Sequence, residues 1–318
     1  MPESVNEVRE LFAFSQQNHI PITFRTGGTS LSGQSITDGI LVELSQYWRK
    51  ITVENEGKQI RVQPGVIGSM ANAHLKKYKT KIGPDPSSIA SAMIGGILSN
   101  NSSGMCCGVD FNSYHTLKYI SFLLPDGNFF NTESEADYSK FGQHPISEGI
   151  IGLRDKILTD NVLQSKIRKK YKTKNTVGYS LNAFIDYTHS LDIFAHLLIG
   201  GEGTLAFISE AVLNTIPEFS FKTTALLYFN TIAQACDAII PIKNSGADAI
   251  ELMDRASLRS IENIKGVPDE LKSLPELAAA LLIEYQSNDL ETLNAKAESF
   301  VFLDINTCLL YTSPSPRD

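Results

Sequence analysis

The stretch that decides the fold is RTGGTSLSG at residues 25–33, directly after an apolar run typical of a strand at residues 20–24. Its three glycines permit positive φ angles and a close approach of the backbone to a ligand, and successive amide groups in such a loop can form an anion-binding hollow. Arg25 adds a cation, and the threonine and serine hydroxyls add donors. The loop therefore suits a pyrophosphate, although a loop of this composition taken alone is more often an ordinary turn.

Two familiar phosphate-binding loops are excluded at this position. No Gly-Lys-Ser/Thr sequence closes the loop, so it is not a P-loop, and it lacks the GxGxxG spacing of a dinucleotide-binding turn. Three further segments have related chemistry: VQPG at 62–65, GPDPSSIASAMIGGILSNNSSG at 83–104 and GGEGTL at 200–205. The longest of them alternates apolar residues with small donors, which suits backbone running alongside a long amphipathic ligand. Each segment could be a turn, but all of them in this order are hard to explain as turns.

The order of these segments, with the last extended to GGEGTLAFISEA at 200–211, resembles the flavin-binding domain of the vanillyl-alcohol-oxidase (PCMH-type) superfamily. Within it, about residues 1–265 resemble the FAD-linked oxidase group of D-lactate dehydrogenase (cytochrome) and the glycolate oxidase FAD subunit. The resemblance implies an α+β fold. It consists of a PCMH-type FAD-binding domain of two α+β subdomains, followed by an incomplete ferredoxin-like α+β cap domain.

The resemblance also implies that FAD lies extended between the two subdomains. The residues expected around the pyrophosphate are Arg25, Gly27, Gly28, Thr29, Ser30, Leu31, Ser32 and Gly33. Those expected along the flavin and ribityl chain are Pro84, Asp85, Ser91, Gly95, Gly96, Asn101 and Gly104, with Glu202, Gly203 and Ile208 near the adenine end or its approach. Members of the superfamily that attach flavin covalently to this loop carry His where this chain has Thr29, so we expect dissociable, non-covalent FAD.

The pattern of elements changes near Pro217 and predicts two domains. We expect a PCMH-type FAD-binding domain at residues 1–217 and a partial cap or substrate domain at residues 218–307. In the first, helices are expected at residues 4–18, 66–78, 150–167 and 191–198. In the second, strands at 221–229, 247–252 and 277–285 alternate with helices at 231–242, 255–264 and 290–300, a pattern of ferredoxin-like type.

The tail CLLYTSPSPRD at residues 308–318 reads, codon by codon, as a transposase-type sequencing adapter translated in frame. We therefore expect these residues to be an adapter-derived artefact and exclude them from the fold argument. A genuine disordered tail is the alternative. The chain is then a fragment, and Met1 is either a true start or an internal methionine of a longer frame.

Composition and charge exclude several classes of protein. The 318 residues carry 28 basic and 35 acidic side chains, and this acidic balance argues against a nucleic-acid partner. No apolar run reaches the ~18–20 residues of a transmembrane segment, and no secretory signal is visible. The four cysteines include no CxxC pair for zinc, so we expect no metal, no disulfide and a reducing compartment. We expect a cytoplasmic protein, either unattached or peripheral to the inner membrane.

The acid–base residues of the reaction are not assignable from this sequence. His115 is the most site-like of six histidines, but a structural role is the stronger alternative. The resembled family places its catalytic histidines in an H-x-G-D-G-N-x-H motif, which this sequence lacks. The thiols of Cys106 and Cys107 are flavin anchors, redox groups or, more simply, inert buried thiols. The basic run at residues 166–174 indicates a solvated face or, as a second interpretation, a patch for an anionic substrate or partner.

The leading hypothesis from the resemblance is an FAD-dependent oxidoreductase of a D-2-hydroxy acid, with D-lactate or glycolate first. Hydride would pass to flavin N5, and electrons would leave to a cytochrome, a quinone or an appended iron–sulfur domain. The alternatives are a PCMH-type oxidase of another alcohol or sugar, and a non-catalytic FAD-binding subunit. Because the histidine motif is missing, we expect residues 1–307 alone to turn over no substrate.

Overall fold

The computed structural model of the chain describes residues 1–267, 269–301 and 309–314. It contains two compact units, the first comprising Met1–Glu218 and the second beginning at Phe219. The helices of the first unit are α1 (Val5–Asn18), α2 (Gly68–Leu75), α3 (Ile94–Ser99), α4 (Ser113–Thr116), α5 (Glu135–Gly142), α6 (Pro145–Thr159), α7 (Asn161–Lys170), α8 (Ala183–Asp186) and α9 (Ser190–Leu198). Its strands are β1 (Ile22–Arg25), β2 (Ile40–Glu43), β3 (Ile51–Glu54), β4 (Gln59–Val62), β5 (Thr80–Ile82), β6 (Leu117–Leu123), β7 (Phe129–Asn131) and β8 (Phe207–Pro217).

The main sheet of the first unit is antiparallel and has the strand order β3-β4-β8-β6-β7, with β5 also paired to β8. The long strand β8 is central because it pairs with β4 along one edge and with β6 along the other, and also with β5. Strands β1 and β2 form a separate parallel pair. The two glycine segments at 25–33 and 200–205 thus each adjoin a strand. The first begins at the end of β1 and the second leads into β8.

Aromatic packing fixes these two strands to each other. Phe24 of β1 lies 4.9 Å, centroid to centroid, from Phe207, the first residue of β8. Trp48 packs edge-on against the same Phe207 at 5.0 Å, and both Trp48 and Phe207 are buried. The backbone that leaves β1 and the backbone that enters β8 are therefore held close together by a rigid apolar cluster.

The second unit is built from β9 (Phe221–Phe229), α10 (Ile232–Asn244), β10 (Ala249–Met253), α11 (Arg255–Ile261), β11 (Ala279–Ser287), α12 (Leu290–Val301) and β12 (Leu309–Pro314). Its sheet has the order β10-β11-β9-β12 with all neighbours antiparallel, which is the ferredoxin-like arrangement. The α+β fold class predicted from sequence is confirmed. Strand β12 falls within the predicted adapter-derived stretch 308–318, of which residues 308 and 315–318 lie outside the described residues.

One sequence prediction of local structure is wrong, and one helix was not predicted. The single helix predicted at 150–167 is two helices, because the Asp160 carboxylate accepts hydrogen bonds from the backbone N–H groups of Val162 and Leu163, both at 2.9 Å, and starts α7 as its cap. The glycine-rich segment at 83–108 contains a helix, α3, that its composition concealed. By contrast, α1 begins as predicted, with Ser4 Oγ accepting from Glu7 N–H. Among the described residues, no helix combines the length and apolarity needed to cross a membrane.

Candidate cofactor site

The first unit contains a cleft of about 870 Å³, a size within the ~300–1,000 Å³ of small-molecule and cofactor sites. Four segments line most of it: residues 24–35, 86–103, 174–178 and 202–208. Three of these correspond to the glycine segments of the sequence, and the fourth follows the basic run. The aromatic pair Phe24 and Phe207 lies at the wall, so the packing that fixes β1 to β8 also shapes the cleft.

The cleft brings together most of the residues predicted to bind FAD. Those that line it are Arg25, Gly28, Thr29, Ser30, Leu31, Ser32, Gly95, Gly96, Glu202, Gly203 and Ile208. The predicted residues that do not line it are Gly27, Gly33, Pro84, Asp85, Ser91, Asn101 and Gly104. Three of this second group, Gly27, Asp85 and Asn101, have identifiable roles in holding the lining segments in place.

Gly27 and Asp85 support the segments from behind. A Cβ on Gly27 would lie 2.5 Å from the Ser91 carbonyl oxygen, so only glycine permits this contact between the first loop and the longer segment. The Asp85 carboxylate accepts hydrogen bonds from the backbone N–H groups of Cys106 at 3.1 Å and Cys107 at 3.2 Å. It thereby ties the start of segment 83–104 to the turn that follows it.

Asn101 joins three parts of the site. Its backbone has φ 48°, in the left-handed region that asparagine tolerates better than most residues. Its Oδ1 accepts from the Tyr114 N–H at 3.2 Å, and its Nδ2 donates to the Asn175 carbonyl oxygen at 3.4 Å. Asn101 therefore connects the long segment to α4 and to the lining residues 174–178.

The glycine positions show how closely the segments that line the cleft pack against one another. Gly28 has φ +61°, and a Cβ there would meet the Arg25 guanidinium at 2.8 Å. A Cβ on Gly95 would meet Pro64 Cβ at 2.8 Å and Thr26 Cγ2 at 3.0 Å. Pro64 belongs to the VQPG segment, and its carbonyl oxygen accepts a hydrogen bond from the Gly95 N–H at 2.9 Å. Glycine at these positions lets the first loop, Pro64 and α3 pack closely into a cradle at the cleft wall, with amide groups and hydroxyls near it.

The charges of the cleft favour an anionic ligand. Its cations are Arg25 and Lys174, and its acidic side chain is Glu202. Within the described part of the chain, the Arg25 side chain makes no hydrogen bond or ion pair, whereas Glu202 Oε1 accepts from Asn100 Nδ2 at 2.6 Å. The Glu202 backbone, at φ 51°, is held by a hydrogen bond from its N–H to the Ser99 carbonyl oxygen. A guanidinium without a partner beside a glycine cradle and hydroxyl donors fits the diphosphate of FAD.

Sequence reasoning missed the fourth lining segment. Lys174, Thr176, Val177 and Gly178 line the cleft, although Lys174 was interpreted only within the basic run, as a solvated face or a patch for an anionic substrate or partner, and not as a cofactor-binding residue. The available signal was the stretch NTVG at 175–178, which combines a hydroxyl with a glycine directly after the basic run. Hydroxyls of the longer segment that were also missed are those of Ser88, Ser99, Ser102 and Ser103.

The histidines lie outside the cleft lining. His115 instead binds its own helix cap, with its Nδ1 3.0 Å from Asn112 Oδ1. His196 is buried in α9, where burial lowers its pKa to about 4 and its Nδ1 donates to the Asp192 carbonyl oxygen at 2.8 Å. His196 is therefore neutral at physiological pH.

Burial raises the pKa of the Cys107 thiol, so at neutral pH this sulfur is protonated and a poor nucleophile. In the parts of the chain that the structure describes, no group of three His, Cys, Asp or Glu side chains is placed to hold a metal ion.

Comparison with known families identifies the class of protein. A family model described as FAD binding domain matches residues 1–133, and one described as FAD linked oxidases, C-terminal domain, matches residues 219–307. The chain belongs to the FAD-linked oxidase family, and FAD is its cofactor, as predicted from the order of the glycine segments.

Individual relatives are named for the oxidation of 2-hydroxy acids. The chain is 34% identical over 285 residues to a D-2-hydroxyglutarate dehydrogenase of Pantoea ananatis, covering 84% of this chain and 27% of the relative. It is 26% identical over 271 residues to mitochondrial D-lactate dehydrogenase [cytochrome] 1 of Saccharomyces cerevisiae, covering 82% and 37%. It is 26% identical over 302 residues to glycolate oxidase subunit GlcD of Bacillus subtilis, covering 93% and 53%. The chain thus spans between 27% and 53% of the length of these relatives.

A solved structure of alkyldihydroxyacetonephosphate synthase matches the fold with a TM-score of 0.63. The match covers 99% of this chain and 53% of that chain at 17% sequence identity. At this identity the likeness concerns the fold alone.

Proposed function

We propose that this chain is the FAD-binding part of an FAD-dependent dehydrogenase that oxidises a D-2-hydroxy acid to the 2-keto acid. The observation that carries the proposal is the glycine-lined cleft with Arg25, whose side chain has no partner among the described residues, in a chain whose relatives are named for D-2-hydroxyglutarate, D-lactate and glycolate. All three are 2-hydroxy acids. In this proposal residues 1–217 are the FAD-binding domain and residues 218–307 are part of the cap or substrate domain.

When bound, FAD supplies at N5 the acceptor for the hydride that leaves C2 of the hydroxy acid. The residues of this chain bind and orient the cofactor. Arg25 and the hydroxyls of Thr29 and Ser32 offer donors to the diphosphate, and Gly28 leaves room for it. Thr29 occupies the position at which covalently flavinylated members of the superfamily carry histidine. The cofactor is therefore held by non-covalent contacts.

The general base that removes the hydroxyl proton is not among the cleft residues described, since none of the lining residues is a histidine. We assign that role to the part of the longer relatives that this chain does not span, in an H-x-G-D-G-N-x-H segment. Electrons leave to a cytochrome, a quinone or an iron–sulfur domain. The name of the yeast relative favours a cytochrome for that protein.

The test compares two proteins. One is this chain, and the other is the extended protein encoded by the open reading frame once it has been sequenced across codon 307 with adapter-free long reads. We expect the chain alone to bind FAD but to reduce no dye with D-lactate, glycolate or D-2-hydroxyglutarate. The extended protein should reduce the dye with one of these acids and not with its L-enantiomer, where one exists. Oxidation of a simple alcohol or sugar instead would replace the hydroxy-acid assignment with that of another PCMH-type oxidase.

A second candidate is a non-catalytic FAD-binding subunit, which the absence of histidine from the cleft lining favours. The same experiment separates the two. If the extended protein binds FAD and reduces no dye with any of the acids, alcohols or sugars, the non-catalytic candidate is supported and the dehydrogenase proposal fails.

A further inference from the structure

The connection between α7 and α8 is a closed loop whose tip lies at the cleft. The Tyr171 hydroxyl closes its base by donating to the Tyr179 carbonyl oxygen at 2.7 Å and accepting from the Leu181 N–H at 3.0 Å. Within the tip, Asn175 Nδ2 donates to the Val177 carbonyl oxygen at 3.2 Å. Compact loops with pinned ends and side-chain packing of their own are frequently functional.

This loop is bonded to two other segments of the site. Lys174 Nζ donates to the Gly104 carbonyl oxygen, and Asn101 donates to the Asn175 carbonyl oxygen. The Tyr179 hydroxyl shares a 2.8 Å hydrogen bond with Thr204 Oγ1, in the turn that leads into β8. These hydrogen bonds therefore hold the loop, and with it Lys174, at the cleft.

Lys174 differs from the rest of the basic run. All cations of that run are exposed, Lys174 included, but Lys166, Arg168, Lys169, Lys170 and Lys172 do not line the cleft. Lys174 does line it, and within the described residues its ammonium group forms no ion pair. Its hydrogen-bond partner, the Gly104 carbonyl oxygen, is neutral. A negatively charged oxygen would bind the ammonium more strongly than this carbonyl does, because charge-assisted hydrogen bonds are roughly twice as strong as neutral ones.

We propose that Lys174 is an FAD-binding residue whose ammonium group exchanges the Gly104 carbonyl oxygen for negative charge on the bound cofactor. This inference rests on the proposed binding of FAD in the same cleft. FAD offers negative charge in two places. The diphosphate is charged in every redox state, and the flavin ring can gain negative charge when it is reduced. Lys174 stabilises bound FAD in both cases, but at different stages of the reaction.

The test uses the full chain with Lys174→Met and, as a matched control, Lys172→Met, which removes a cation two residues away that does not line the cleft. Dissociation constants for FAD and for riboflavin, which has no phosphate, are measured by quenching of flavin fluorescence. The midpoint potential of bound FAD is measured in parallel. Far-UV circular dichroism and melting temperatures establish that both variants are folded, and Lys174→Arg tests rescue by a second cation.

If Lys174 contacts the diphosphate, Lys174→Met weakens FAD binding about tenfold and leaves riboflavin binding unchanged. If it faces charge on the reduced ring, oxidised FAD binds as in wild type and the midpoint potential falls by ~30 mV for each tenfold loss of affinity for the reduced form. Lys174→Arg should retain most of the wild-type behaviour in either case.

If Lys174→Met matches Lys172→Met in both FAD affinity and the midpoint potential of bound FAD, Lys174 is not an FAD-binding residue. The same conclusion holds if only the affinity for substrate changes. Failure of the wild-type chain to bind FAD overturns the proposed function and this inference together. The two failures are therefore distinguishable by the wild-type titration alone.

Discussion

Two loops bring a cation to the same cleft, and they differ in what each cation touches. Arg25 is the last residue of β1, where the glycine-rich loop begins, and its side chain has no hydrogen-bond or ion-pair partner among the described residues. Lys174 lies in the closed loop after α7 and is bonded to the Gly104 carbonyl oxygen. When an anion binds, the Arg25 side chain gives up no hydrogen bond, whereas Lys174 must give up its hydrogen bond to the Gly104 carbonyl oxygen. The net free energy that a residue contributes to binding therefore depends on the protein contact that it gives up when the ligand binds.

The largest expected effect follows directly from this difference. Arg25→Met should weaken FAD binding about 100-fold, near the upper end of the ~1.5–3 kcal/mol of a hydrogen bond to a charged group, because nothing offsets the loss. If Lys174 contacts the diphosphate, Lys174→Met should cost about tenfold, near the lower end. Both dissociation constants come from the same fluorescence titration. A larger loss for Lys174→Met than for Arg25→Met would reverse the comparison.

The next effect tests the cradle between the loops. A Cβ on Gly95 would press on Pro64 at 2.8 Å and Thr26 at 3.0 Å, whereas one on Gly96 would only approach Thr26 Oγ1 at 3.3 Å. Both glycines lie in α3, so alanine gains similar helix propensity at each. Gly95→Ala should therefore be less stable than Gly96→Ala by ~1–3 kcal/mol and should bind FAD more weakly. Urea unfolding followed by the fluorescence of Trp48, the single tryptophan, measures the difference. Equal stability of the two variants would show that the contact can relax.

An acid-dependent effect tests the helix that leads into the GGEG turn. His196 has a folded pKa of about 4 because it is buried, below the ~6.5 of an unfolded histidine. Between these values the unfolded chain binds the extra proton, so stability falls as pH falls. From pH 7 to pH 5 the loss should be about 2 kcal/mol in urea unfolding. His196→Phe keeps a ring beside Tyr187 and should remove most of that dependence. The same pH dependence in both proteins would contradict the burial argument.

The smallest effect concerns the start of α7. Asp160→Ala removes the carboxylate that accepts from Val162 and Leu163 N–H and should lower stability by ~1 kcal/mol. Asp160→Asn is the matched control, because asparagine is an equally good cap, and should be close to wild type. Thermal melts compare the three proteins. Equal melting temperatures for Asp160→Ala and Asp160→Asn would mean that the cap does not set the helix boundary.

The parts predictable from sequence are those with local signals. The Ser4 cap, the glycines of residues 25–33 and the alternation of strand and helix after Pro217 each depend on neighbouring residues, and the first helix and the ferredoxin-like order are confirmed. Asp160 is also a local signal, but the apolar period that continues through it favoured one long helix. The competing cap was stronger than that period, since it satisfies two backbone N–H groups.

The role of Lys174 was not predictable in this way. Its partner Gly104 is 70 residues away in sequence, and the loop is positioned by Tyr171, Asn101 and Tyr179 through contacts that no local pattern encodes. Asp85 is a similar case. The family resemblance places it along the flavin, which stays a prediction, and its carboxylate holds the Cys106 and Cys107 backbone, which no local pattern predicts.

The most direct test of the account is a titration of the purified chain with FAD, followed by acid precipitation of the saturated protein. We expect saturable binding of one FAD per chain, weakened about 100-fold by Arg25→Met, with all of the flavin released into the acid supernatant. Absence of binding, wild-type affinity in Arg25→Met, or flavin that stays on the precipitated protein would contradict a non-covalent FAD site in this cleft.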